Sequence, residues 1–169
     1  MKKIIFLLVV VALALIAFSF IKAQDKQLSE EALAQNLTDT SGKEINFKDI
    51  LKKHEGKTVV IEFWASWCSD CVKNMPKLRE LQTVHPNVDF VFLSADKTPE
   101  AWKVGIEKHA ISGDHYLMLG GMKGAFGKAV DLDWIPRYII LDKTGKVRLY
   151  RAIETDHEKV DALLKQLSK

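Results

Sequence analysis

The clearest hydrophobic pattern in the chain is an apolar run over residues 59–64, in which Glu62 is the one polar residue. A run that does not alternate with polar residues is typical of a strand buried on both faces. Residues 88–95 form a second, mostly apolar run. Between the two runs, from Asp70 onward, apolar residues recur at a period of about 3.6, which predicts a helix.

Similar patterns predict the other elements. They are a hairpin over residues 37–47, a short helix over 48–54, a helix over 99–109, a short strand over 115–119, a short helix over 125–130, a hairpin of 138–142 with 147–151, and a last helix over 155–167. Strands that alternate with helices and then end in a hairpin and a helix imply an α/β fold. We expect a mixed central sheet with helices on both faces.

The N-terminus has a different pattern. Lys2 and Lys3 precede an unbroken apolar stretch over residues 4–18, which is typical of an export signal. We expect residues 1–23 to be either a cleaved signal peptide or a retained membrane anchor, which would be the only membrane contact. Residues 24–36 are predicted to be a flexible linker, and residues 37–169 to form the folded domain.

Composition and charge narrow the possible functions. The 169 residues are 47% hydrophobic and 28% charged, as expected for one globular domain. Residues 1–23 carry three lysines and no acid, so without them the net charge falls from +3 to 0. The domain therefore gives no indication of a nucleic-acid partner.

Export would place the domain outside the cytoplasm, in a bacterial periplasm, where disulfides persist.

The only two cysteines, Cys68 and Cys71, follow the first apolar strand where the helix begins. This spacing suits a reversible dithiol/disulfide pair. One alternative is a structural disulfide, although so short a loop would add little stability. The other is half of a zinc site, which would need further ligands at defined spacing. We therefore predict redox chemistry and no metal.

The segment Phe-Trp-Ala-Ser-Trp-Cys-Ser-Asp-Cys over residues 63–71, together with Trp134-Ile135-Pro136 before a strand, resembles the thioredoxin fold. More narrowly, the chain is similar to exported thiol-disulfide oxidoreductases of the TlpA/ResA type in the redoxin family. The resemblance covers residues 37–168. It implies a thioredoxin-like fold with an N-terminal hairpin and an inserted helix-strand unit over residues 95–124.

The resemblance also implies a mechanism. Cys68, at the N-terminus of a helix that would lower its thiol pKa, is expected to attack a substrate disulfide, and Cys71 to resolve the mixed disulfide. No dissociable cofactor is expected, because the cysteine pair carries the electrons. The expected partners are protein thiols and disulfides and a membrane electron donor, and the protein is expected to be a monomer.

Three further sites follow from the same resemblance. Glu62 aligns with the buried acid of thioredoxins and would accept the proton of Cys71, unless it is an acid that reaches solvent at a strand end. Pro136 matches a cis-proline, and the backbone at Ile135 would pair with an extended substrate. A trans proline that opens an edge strand is the alternative. Trp67 is expected to line the approach to Cys68.

Ser69 and Asp70 replace the Gly-Pro pair that is common between thioredoxin cysteines. An anion at Asp70 would disfavour the Cys68 thiolate and make the dithiol a better reductant, unless Asp70 serves only to stabilise the first helical turn. Asn74 occupies the position at which some members that act in cytochrome c maturation carry a glutamate.

The five histidines are expected at the surface, since no two of them have the spacing of metal ligands.

The sequence therefore predicts an exported reductase of protein disulfides. An oxidase or isomerase would use the same residues with the opposite electron flow. A thiol peroxidase is a more distant alternative, since its cysteine normally follows a Pro-x-x-x-Thr-x-x-Cys pattern. A copper-delivery module of this fold would space its cysteines one residue wider and add a distal histidine.

Overall fold

The structure, a computed structural model, describes residues 27–168. Its strands are β1 (Asn36–Asp39), β2 (Glu44–Asn46), β3 (Thr58–Trp64), β4 (Val88–Ser94), β5 (Asp114–Leu117), β6 (Arg137–Leu141) and β7 (Val147–Ala152). Its α-helices are α1 (Glu30–Leu33), α2 (Phe47–Lys53), α3 (Ser69–Val84), α4 (Pro99–His109), α5 (Ala125–Ala129) and α6 (His157–Leu167). The predicted export segment, residues 1–23, lies outside the described residues.

A seven-stranded sheet organises these elements in the order β2-β1-β5-β4-β3-β6-β7. Strands β3, β4 and β5 pair in parallel, whereas the outer pairs are antiparallel. Every residue of β3 is buried, as expected for a central strand flanked by β4 and β6. The predicted α/β fold with a mixed sheet is confirmed.

The pairing of β3 with β6 brings two distant loops together. These strands are antiparallel, with Phe63 opposite Arg137, so the C-terminal end of β3 adjoins the N-terminal end of β6. The loop that leads from β3 to the cysteines therefore meets the loop that carries Ile135 and Pro136.

The N-terminal part of the described chain differs from its prediction as a flexible linker over residues 24–36. Ser29 caps α1, and its hydroxyl also donates to the carbonyl oxygen of Ala129. Ala32 is fully buried, and Leu28 and Leu33 pack against the core. Apolar contacts and the hydrogen bond from Ser29 therefore hold this short segment on the domain.

Two histidines were wrongly expected at the surface. His54 and His85 are both buried, and each has a carboxylate partner that offsets the cost of burying a polar ring. His54 Nδ1 lies 2.8 Å from Asp89, and His85 Nε2 lies 2.8 Å from Asp161.

The start of α5 and the segment before it are tightly packed. A Cβ atom added at Gly124 would lie 2.1 Å from the carbonyl oxygen of Leu119, and one added at Gly127 would lie 2.1 Å from that of Met122. Both positions therefore require glycine.

Within residues 27–168, no helix is long and apolar enough to cross a membrane.

Candidate active site

Cys68 and Cys71 form a disulfide at the start of α3, with their Cα atoms 5.3 Å apart. Cys68 is the N-cap of the helix, and its sulfur accepts a hydrogen bond of 3.2 Å from the backbone N–H of Cys71. Unpaired N–H groups at a helix N-terminus stabilise negative charge. Once the disulfide is reduced, the same groups favour the thiolate of Cys68.

The loop before β6 lies against the disulfide and limits its exposure. The sulfur of Cys68 is 3.6 Å from the carbonyl oxygen of Ile135, a contact rather than a hydrogen bond because a disulfide sulfur carries no proton. Cys68 is 6% exposed, and Cys71 is completely buried. Cys68 is thus the more accessible of the pair, although less exposed than its position in the sequence suggests.

The peptide bond between Ile135 and Pro136 is cis, as predicted. Arg137, which follows, is only 1% exposed and donates to the carbonyl oxygens of Val130 and Asp131. Its guanidinium also lies 5.1 Å from the ring centre of Phe63. Since a planar guanidinium can bond and stack at once, Arg137 holds the loop before β6 against the end of β3.

A second anchor holds the loop between β3 and Cys68. Asp96 is buried, and its carboxylate accepts hydrogen bonds from the backbone N–H and the hydroxyl of Ser66 and from the hydroxyl of Ser94. These bonds tie the loop to the end of β4. The sequence contains one signal for this role, a carboxylate just beyond the end of a buried parallel strand, after Ala95.

Two tryptophans are exposed in the segments that meet at the disulfide. Trp67, which precedes Cys68, is 61% exposed, and Trp134, which precedes Ile135, is 53% exposed. Large exposed aromatic rings are frequent anchors in protein recognition. The position of Trp67 next to Cys68 predicts a place at the site, whereas nothing in the sequence distinguishes Trp134 from a tryptophan of the core, the more common case.

Glu62 is buried within β3 rather than reaching solvent at a strand end, and only 1% of it is exposed. Burial raises the pKa of its carboxyl group to about 8, while a hydrogen bond from Tyr138 partly opposes this increase. The Tyr138 hydroxyl lies 3.3 Å from Oε1 of Glu62. The other oxygen, Oε2, is buried without a hydrogen-bond partner. Such a carboxyl group can gain or lose a proton near neutral pH.

Ser69 and Asp70 lie in the first turn of α3. The Asp70 side chain is 42% exposed, and the Lys73 ammonium lies 3.9 Å from its carboxylate. An exposed pair at this distance interacts weakly in water.

In the part of the chain that the structure describes, no group of three or more histidine, cysteine or acidic side chains could hold a metal ion.

The family model named Redoxin matches residues 22–167. The chain belongs to the redoxin family. This redoxin is 29% identical to the thiol-disulfide oxidoreductase ResA of Bacillus thuringiensis over 151 residues, which covers 88% of this chain and 83% of ResA. The family, the resemblance to ResA and the predicted class of enzyme, a thiol-disulfide oxidoreductase, are confirmed.

Solved structures have the same fold as this redoxin. A thiol-disulfide oxidoreductase from Bacteroides fragilis superimposes with a TM-score of 0.67 at 23% identity, covering 82% of this chain and 99% of that one. A secreted disulfide oxidoreductase of Mycobacterium tuberculosis, homologous to E. coli DsbE, gives a TM-score of 0.63 at 18% identity, covering 82% of this chain and 100% of that one. At these identities the two structures support the thioredoxin-like fold alone.

Proposed function

We propose that this redoxin reduces disulfide bonds of client proteins outside the cytoplasm, with electrons supplied by a membrane donor. The observation that carries the proposal is the Cys68–Cys71 pair, which lies at a helix N-terminus with the Cys68 sulfur beside the Ile135 carbonyl. No dissociable cofactor is needed, because two cysteines store the two electrons that one disulfide requires. We expect the protein to act as a monomer.

The reaction proceeds by two thiol-disulfide exchanges. The Cys68 thiolate attacks a client disulfide, which forms a mixed disulfide and releases one client thiolate. The Cys71 thiolate then attacks the Cys68 sulfur, which releases the second client thiolate and forms the Cys68–Cys71 disulfide. The client gains two electrons, and the membrane donor later returns two electrons to the cysteine pair.

Glu62 serves as the base for the second exchange. Cys71 is completely buried, so its thiol does not readily lose a proton to bulk water. The carboxylate of Glu62 is buried too, and its pKa of about 8 suits a group that accepts a proton near neutral pH. Glu62 therefore takes the Cys71 proton as the mixed disulfide is resolved.

The client binds along the loop before β6. An extended segment can pair with the backbone at Ile135 and Pro136, which brings its disulfide to the Cys68 sulfur 3.6 Å from the Ile135 carbonyl. Trp67 lies exposed on the other segment of the site and contacts the client side chains.

Export is supported by Lys2 and Lys3 followed by the apolar stretch over residues 4–18, a pattern typical of an export signal. Residues 1–23 carry the protein across the membrane as a signal peptide or keep it there as an anchor. N-terminal sequencing of the mature protein distinguishes cleavage from retention.

Asp70 biases the cysteine pair toward reduction of clients but does not by itself set the direction of electron flow. Its negative charge in the first turn of α3 opposes formation of the Cys68 thiolate and so favours the disulfide form of the pair. We expect a reduction potential of about −250 mV, in the range of thioredoxin-like reductants. Equilibration with dithiothreitol or glutathione buffers measures it. A value of about −120 mV, as in strong oxidants, would instead support an oxidase or isomerase.

The roles of the two cysteines are tested with single variants in an insulin-reduction assay. Cys68→Ser should abolish reduction, because the attacking thiolate is lost. Cys71→Ser should also stop turnover but should accumulate mixed disulfides, since Cys68 still attacks and nothing resolves the product. Thr144→Ser, a small change in an exposed turn, is the control and should retain full activity. Continued turnover in both cysteine variants would contradict the mechanism.

A further inference from the structure

Three polar side chains form a hydrogen-bonded chain inside the domain. Tyr138 lies directly opposite Glu62 in the register of β6 and β3. Its hydroxyl is 3.3 Å from Oε1 of Glu62 and 2.5 Å from Nδ2 of Asn74. Asn74 lies one helical turn after Cys71 on α3, so the chain connects the turn below the resolving cysteine to the buried carboxyl group.

The direction of each hydrogen bond follows from the groups involved. An amide Nδ2 can only donate, so Asn74 donates to the oxygen of Tyr138. The single hydroxyl proton of Tyr138 is then directed to Oε1 of Glu62. The second carboxyl oxygen, Oε2, is buried without a hydrogen-bond partner. The arrangement thus leaves one oxygen of Glu62 fixed and the other available.

We propose that Tyr138, oriented by Asn74, is a positioning residue that holds Glu62 by Oε1 and leaves Oε2 to receive the proton of Cys71. This inference rests on the proposed function, in which Glu62 is the base for resolution. Tyr138 itself touches neither the client nor the reacting sulfurs in this mechanism, and it acts through Glu62.

The neighbouring groups support this division of roles. Glu154, just after β7, is a further titratable group whose charge acts on Tyr138, and Cys71 lies one turn before Asn74 on α3. Strand β4 contributes the apolar Phe92 opposite Glu62. Burial raises the pKa of Tyr138 well above its ordinary value, and the carboxylates of Glu62 and Glu154 raise it further. Tyr138 therefore remains a hydrogen-bond donor at neutral pH and does not compete with Glu62 as a base.

The test is a stopped-flow measurement of resolution as a function of pH. The reduced protein reacts with 5,5′-dithiobis(2-nitrobenzoate), whose first thiolate leaves when Cys68 attacks and whose second leaves when Cys71 displaces it. The rate of the second release reports on resolution. In Tyr138→Phe the carboxylate of Glu62 loses its donor, so we expect the midpoint of the pH–rate profile to rise by about one unit. The rate at neutral pH should fall roughly three- to tenfold.

Matched variants separate positioning from a structural effect. Tyr116→Phe removes another tyrosine hydroxyl, a partly buried one that bonds to Lys53 and Asp114 away from this network, and should leave the pH profile unchanged. In the Glu62→Gln background, Tyr138→Phe should have no further effect, since there is no carboxylate left to position. Asn74→Ala should shift the midpoint in the same direction by less, and it tests the arrangement even if Tyr138→Phe does not fold.

Two results would overturn the proposal in distinguishable ways. Superimposable profiles for wild type, Tyr138→Phe and Asn74→Ala would refute the role of Tyr138 and leave the proposed function intact. A wild-type protein that never releases the second thiolate would refute the proposed function and the positioning role together.

Discussion

Glu62 shows how one buried carboxyl group makes the stability of the protein depend on pH. Its pKa is about 8 in the folded protein, against 4.5 for an ordinary glutamate. Below pH 4.5 the carboxyl group is protonated in both the folded and the unfolded state. Its burial therefore adds no pH-dependent term to the free energy of unfolding in that range. Between the two values only the folded state keeps the proton, so stability falls as the pH rises, by about 1.4 kcal/mol per unit.

Glu62→Gln should remove this pH-dependent loss. Relative to wild type, the free energy of unfolding of the oxidised variant should increase by about 3 kcal/mol between pH 5 and pH 7.5, because glutamine does not ionise. Urea denaturation at the two pH values measures the difference. Glu80→Gln makes the same charge change on the exposed face of α3 and is the control. Parallel stability curves for wild type and Glu62→Gln would contradict the raised pKa.

The loops at the ends of β3 and β6 are held by buried charged residues rather than by apolar packing alone. Asp96 fixes the loop before Cys68, and Arg137 fixes the loop that carries Ile135. These anchors make the position of the cysteine pair depend on the neighbouring strand ends. Precise placement of a loop over a rigid sheet is a common way to build a reactive site.

Asp96→Ala should destabilise the oxidised protein by about 2 kcal/mol, because the backbone N–H and hydroxyl of Ser66 would lose their acceptor. It should also slow insulin reduction, since the loop before Cys68 would lose its fixed position. Glu55→Ala, at an exposed acid, should change the free energy of unfolding by less than about 0.5 kcal/mol. An Asp96→Ala variant as stable and active as wild type would refute the anchoring role.

Local patterns were sufficient for some elements and not for others. The apolar run of β3 and the spacing of Cys68 and Cys71 carry strong signals, so strand, helix start and disulfide could all be predicted. Tyr138 reads as one more apolar residue of a strand, and only the pairing of β6 with β3 brings it opposite Glu62. The roles of Asp96 and Arg137 likewise depend on contacts between segments distant in sequence, which periodicity does not encode.

On the scale of the whole molecule, the domain begins earlier than its sequence pattern indicates. Helix α1 has only four residues, too few to give a periodic signal, yet it buries Ala32 and packs near α5 through the bond from Ser29 to Ala129. The side chain of Gln27 also accepts a hydrogen bond from the backbone of Val147 in β7. The segment before β1 thus touches both the helical layer and the far edge of the sheet.

A chain that starts at residue 37 should therefore be less stable than one that starts at residue 27. We expect a loss of about 2 kcal/mol in the free energy of unfolding, from the apolar area of Leu28, Ala32 and Leu33 that becomes exposed. Urea denaturation of the two oxidised proteins gives the difference. Equal midpoints and slopes would show that residues 27–36 add nothing to the domain.

The close packing at Gly124 and Gly127 has a consequence for how this chain can vary. A side chain at either position would collide with a backbone carbonyl oxygen, which cannot rotate away as a flexible side chain could. In a library of random substitutions selected for folding, both positions should remain glycine. Neither glycine supplies an atom to the redox chemistry. Variation of the surface around the disulfide must therefore accumulate at other positions, such as the exposed Trp134.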